Sequence, residues 1–135
     1  MKDSSRLLND DGTLLIRIPV TGSYVWEKYG TDWVQLDAPR HLFIHSKQSM
    51  AILAEQTDFK IEKIIYDSTD FQFWGSILYS NNIPLTATKL FSSDPMRDFR
   101  HLISKEEMKY FAEHAEKLNK ESRGDQASFY LKKKI

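Results

Sequence analysis

The 135-residue chain carries 19 Lys plus Arg against 19 Asp plus Glu, and this zero formal charge excludes binding to nucleic acid or anionic membrane driven by bulk charge. It has no cysteine, which excludes disulfides, thiolate metal sites and cysteine nucleophiles. The length suits a single domain over residues 1–135 with one core. The N-terminus is polar, and no apolar run approaches the ~20 residues needed to span a bilayer. The composition therefore predicts a soluble, cytoplasmic chain with no nucleic acid and no membrane as partner.

Residues Met1 to Arg6 are polar and expected to fray. Asp10-Asp11-Gly12 is a turn signal. Leu14 to Ile18 is a nearly continuous apolar run ended by Pro19. It predicts a strand covered on both faces, as in a parallel sheet. Arg17 is the exception and needs an edge or a partner. Thr21 to Leu36 holds Tyr24, Trp26, Tyr29 and Trp33, and suits a short helix or an ordered loop. Ser46 is placed to cap a helix over 47–56, with Met50, Leu53 and Ala54 on one face. Phe59 to Tyr66 reads as a strand whose phase slips at Ile64-Ile65, which permits a bulge.

Asp67 to Asp70 reads as a turn, and Phe71 to Tyr79 as an extended or irregular apolar stretch. Asn81 to Phe99, with Pro84 and Pro95, reads as a long connection. Ser104 and Glu107 form a capping box. The helix they open carries Met108, Phe111, Ala112, Ala115 and Leu118 on one face and ends at Arg123-Gly124. Ala127, Phe129 and Leu131 alternate with Ser128, Tyr130 and Lys132 to give a final strand. The order strand, helix, strand, long helical connection, strand is α/β in character.

Few side chains form a recognisable catalytic constellation. His41 and His45 are four apart, but Leu42 stands where a zinc protease carries its glutamate. His101 and His114 are distant in sequence, so no metal site is expected. Ser76 lacks a Gly-x-Ser-x-Gly frame, and the glutamates of residues 106–116 alternate with lysines as on an ordinary solvated face. Phe71, Phe73 and Trp74 suit either a core patch or a surface that stacks on a planar substrate.

Three segments carry a resemblance. They are Leu7 to Pro19, with Asn-Asp-Asp-Gly-Thr-Leu-Leu-Ile-Arg-Ile-Pro; Leu36 to Ser46, with Asp-Ala-Pro-Arg-His-Leu-Phe-Ile-His-Ser; and Thr57 to Tyr66. Together they resemble the C-terminal half of a class I S-adenosylmethionine-dependent methyltransferase. The resemblance implies a partial Rossmann-like sheet with two main helices. Its strands correspond to the fifth, sixth and seventh of the family, with the last antiparallel and inserted between the other two. It implies that Asp37, Arg40 and His41 lie over the acceptor end of the sheet. His41 is then the candidate base and Asp37 and Arg40 candidate substrate contacts, to which the aromatic cluster adds Trp74. An Asp–Arg pair that merely holds a loop, with His41 satisfied by backbone, fits the same residues.

The cofactor-binding half has no counterpart. A Gly-rich turn is needed where backbone approaches such a ligand, and Gly12, Gly22, Gly30, Gly75 and Gly124 are too scattered to form one. The expectation is an acceptor-site half that is inactive alone and binds no S-adenosylmethionine by itself. Its partners would be a small methyl acceptor and either a separate N-terminal half or a second copy, joined through the Leu14–Ile18 strand. The alternative is a non-catalytic binding or dimerisation module.

Overall fold

The structure is a computed structural model that describes residues 1–88 and 93–134. Three strands form one sheet: β1 (Leu14–Pro19), β2 (Phe59–Tyr66) and β3 (Gln126–Lys133). The spatial order is β1-β3-β2, and β3 is antiparallel to both neighbours. β1 and β2 therefore run parallel to each other, and their carboxyl ends lie at one end of the sheet beside the start of β3. The helices are α1 (Lys2–Leu7), α2 (Tyr24–Tyr29), α3 (Lys47–Glu55), α4 (Phe71–Ser80) and α5 (Lys105–Lys120).

Local chemistry explains the helix starts. Ser46 accepts from Ser49 N at 3.0 Å, and Ser49 Oγ accepts from Ser46 N at 2.9 Å, which closes a capping box on α3. Ser104 and Glu107 do the same for α5, at 3.1 and 2.8 Å. Ser23 caps α2 by accepting from Trp26 N.

β1 is not covered on both faces. Its residues alternate, with Leu14, Ile16 and Ile18 against the core and Leu15 and Arg17 exposed. Successive side chains of a strand point to opposite faces, and along β1 only one of them is packed. That packed face, with Val20, Met50, Ala54, Phe59, Ala127, Phe129 and Leu131 buried on it, is one core cluster. A second cluster is helical and includes Val25, Trp33, Phe73, Leu78, Phe111 and Leu118. The described residues thus bury two clusters where one core was expected.

Two further expectations change. Phe71–Ser80 is the helix α4, so the described residues hold a third sizeable helix beyond the two expected. Six of its ten residues are buried, and a helix enclosed on nearly all sides has no polar face to reveal its period. The bulge in β2 falls between Ile61 and Lys63, where Glu62 is the extra residue, and not at Ile64-Ile65. Met1 to Arg6 were expected to fray, but Lys2–Leu7 form α1. Of the connection expected over 81–99, residues 89–92 lie outside the described residues. The rest includes short 3₁₀ turns at Leu85–Ala87 and Arg97–Phe99. No helix among the described residues is long and apolar enough to cross a membrane.

Candidate functional site

The carboxyl ends of β1 and β2 meet the start of β3 in a cluster of polar side chains. Val20 N donates to Asp125 O at 2.8 Å, and Asp67 N donates to Gln126 O at 3.2 Å, so backbone pairing continues past the strands. Ser68 is clasped by Asn119, which accepts from Ser68 N at 3.1 Å and donates to Ser68 O at 2.8 Å. Ser68 Oγ accepts from Gln126 N at 2.9 Å. Asp67 takes a 2.7 Å hydrogen bond from Arg17 Nε and a 3.1 Å one from Ser128 Oγ. Arg17 therefore finds the partner that its place in an apolar strand required.

Behind this rim Asp125 is 1% exposed. Burial is the largest influence on its carboxyl and pushes its pKa up. Hydrogen bonds from Trp33 and Ser68 pull partly in the other direction, and the charge of Asp67 adds to the rise. A small polar cavity of about 50 Å³ opens here between Arg17, Asp67, Gln72 and Asp125. Gln72 is as buried as Asp125. Its amide nitrogen donates to Thr69 O at 3.1 Å, while its amide oxygen has no partner among the described residues.

His41 is attached to this end of the sheet through Gln35. The side-chain amides of Gln35 and Gln126 meet at 3.1 Å, and His41 Nδ1 lies 2.9 Å from the Gln35 carbonyl oxygen. A carbonyl only accepts, so Nδ1 carries a proton in this contact, and Nε2 is the ring nitrogen left to act as a base. Asp37 and Arg40 form an ion pair at 2.9 Å, with 78% of the Arg40 side chain exposed. Asp37 has a left-handed backbone, with φ 37°. Both charges act on the Tyr79 phenol at the end of α4.

Trp74 stands apart from these three residues. It is 4% exposed and packs edge-on against Phe71, with ring centres 4.8 Å apart. Its exposed edge lines a cleft of about 700 Å³ with Phe71, Asp70, Met108 and Lys105. Burial raises the pKa of Asp70 in that wall. The cleft and the small polar cavity share Thr69 and Phe71 as lining residues. The structure thus joins Asp37 to Arg40 and His41 to Gln35, and sets Trp74 in the wall of a cleft that none of the three lines.

His41 and His45 lie on an irregular segment, so their spacing does not put both rings on one helical face. His45 Nδ1 is within 3.1 Å of Ser49 Oγ. Among the described residues, no three His, Asp or Glu side chains are grouped to hold one metal ion.

Sequence reasoning did not single out Asp67, Ser68, Gln72 or Asp125 as site residues. The signals were Gln72 inside the apolar run Phe71 to Leu78, and Asp125 directly before the alternating strand. A polar residue in a run that must be buried needs a partner or a role. No family model matches the chain, and none of the curated proteins compared with it does either.

Proposed function

We propose that this chain is the acceptor-side half of an S-adenosylmethionine-dependent methyltransferase. The observation that carries the reading is the strand arrangement. β3 runs antiparallel between two parallel neighbours, in the order β1-β3-β2, which is the arrangement the sequence resemblance implies for the last three strands of such a sheet. The placement of His41 supports it further. In open α/β sheets, ligands bind beyond the carboxyl ends of the strands, and His41 is tethered at that end with Nε2 available to accept a proton from a hydroxyl or amine.

The residues present do not fit the cofactor. The turn after β1 contains the lone Gly22, with φ 79°, and the short helix that follows is already capped by Ser23. The chain's own part is therefore confined to holding the acceptor and taking its proton.

Calorimetry with S-adenosylmethionine tests this reading, on the 135-residue chain and on any extended version of it. The expected result is no saturable heat for the short chain and micromolar binding for the extended one. Micromolar binding by the short chain, or none by the extended one, overturns the proposal.

A second reading is a binding or dimerisation module, and the free edge of β1 favours it. β1 pairs only with β3, and its other edge meets no strand among the described residues. Such an edge is a template for a further strand.

A further inference from the structure

The two edges of the sheet are protected very differently. β2 has its bulge at Glu62, with Lys60 and Lys63 beside it. Bulges and lysines are the usual devices that keep an edge strand from pairing with another chain. β1 has neither. It is regular from Leu14 to Ile18, it carries no lysine, and Leu15 is 53% exposed.

The hydrogen-bond phase fixes which groups face outward. Val20 donates to Asp125, so Val20, Ile18, Ile16 and Leu14 direct their N–H and C=O groups toward β3. Leu15 and Arg17 then direct theirs to the free edge. Beyond them Thr21 N is already bound to His45 O at 3.0 Å, which closes the edge at that end. The open stretch is short and its register is defined.

From this we infer that β1 pairs antiparallel with β1 of a second copy of the chain, about a two-fold axis at Ile16. In that register Leu15 lies opposite the Arg17 position of the other copy, as a hydrogen-bonded pair that uses the four outward groups on each strand. Ile16 lies opposite its own symmetry mate, and Leu14 opposite Ile18. The packed faces continue as one apolar row of Leu14, Ile16 and Ile18 from both copies. On the open faces each Arg17 stem lies along a Leu15, with no like charges directly opposed. A shift by one residue would set the core-facing side chains of one copy against the solvent-facing ones of the other. An isologous contact of this kind closes at two chains. The inference concerns the chain by itself: β1 has a single open edge, so an N-terminal half paired there would take the place of the second copy.

Because the chain has no cysteine, the register can be tested by single substitutions. Ile16 faces its mate in a non-hydrogen-bonded pair, whose short Cα separation suits a disulfide. Light scattering on the wild-type chain is expected to give twice the 15.8 kDa monomer mass. Under mild oxidation Ile16→Cys is expected to cross-link to itself and Leu15→Cys is not. Leu15→Lys sets two cations against the two Arg17 side chains and is expected to weaken dimerisation roughly tenfold, while Leu15→Asp is expected to preserve it. Leu15 is largely exposed, so both variants should fold. A monomer at millimolar concentration overturns the proposal. So does Leu15→Cys cross-linking as readily as Ile16→Cys, or an equal effect of the Lys and Asp variants. None of these outcomes alters the calorimetric test of cofactor binding.

Discussion

The indole Nε1 of Trp33 donates a 2.9 Å hydrogen bond to Oδ2 of Asp125, which lies 92 positions later in the chain. Trp33 belongs to the helical core and Asp125 opens into β3, so this bond joins the helical cluster to the sheet. Both residues are almost completely buried, at 0% and 1% exposure. A donor and an acceptor held this far from water each depend on the other being present.

Asp125→Ala is therefore expected to destabilise the chain by about 1–3 kcal/mol, because the Trp33 N–H is left buried and unpaired. Asp125→Asn keeps an acceptor for it and removes the charge. Burial raises the Asp125 carboxyl above its ordinary value of 3.8, so the folded state holds the proton more tightly than the unfolded one. Below pH 3.8 both states are protonated and the group contributes nothing. As pH rises from there through the raised folded pKa, wild-type stability falls. The Asn variant has no such loss, so its stability relative to wild type should improve between pH 4 and pH 7. Denaturant unfolding of both proteins at the two pH values measures this, and comparing them cancels other groups such as Asp70. An unchanged difference between the two pH values would rule out the linkage.

What the sequence disclosed followed from how locally each feature was written. The capping serines at 46 and 104 and the face of Phe111, Ala115 and Leu118 are short-range patterns, and both helices start where those patterns place them. The three strands also lie where their apolar runs indicated. The helix Phe71–Ser80 was not legible, because its Phe, Trp and Ile content suits a strand and it is enclosed on nearly every side. The exposed alternation of β1 was hidden because Leu15 is apolar and yet faces out. Asp37, Arg40 and His41 are close in sequence, and the contacts found for them, Asp37–Arg40 and His41–Gln35, are equally local. The polar cluster of Asp67, Ser68, Gln72 and Asp125 was not legible, since it is assembled by contacts 50 or more positions apart, among them Arg17–Asp67 and Ser68–Asn119.

Gly75 shows a packing constraint of the same long-range kind. A Cβ built on it would stand 2.8 Å from Val34 Cγ2 and 3.1 Å from Phe71 Cε2. Gly75→Ala gains about 1 kcal/mol of helix propensity but overpacks the contact, at about 1–3 kcal/mol. The expected net effect is a loss of stability. Val34→Ala removes the opposing methyls, so the double variant should be more stable than the two single effects added together. Strict additivity in urea unfolding would show that Val34 is not what requires a glycine at 75.

His41 offers the last test, and it separates structure from chemistry. The Gln35 carbonyl fixes the proton on Nδ1, so nitrogen-detected NMR of the neutral ring should find Nδ1 protonated and Nε2 bare. The opposite tautomer would mean that this hydrogen bond does not form in solution. His41→Ala loses one partly exposed hydrogen bond, at no more than about 1.5 kcal/mol. His41→Asn can still donate to Gln35 from its amide but has no basic nitrogen. If the methyltransferase reading holds, both variants of the completed enzyme should lose turnover by about 100-fold, with the Asn variant keeping its melting temperature. Full turnover in both, with a lowered melting temperature for Ala alone, would make His41 a residue that holds the Gln35–His41 loop and nothing more.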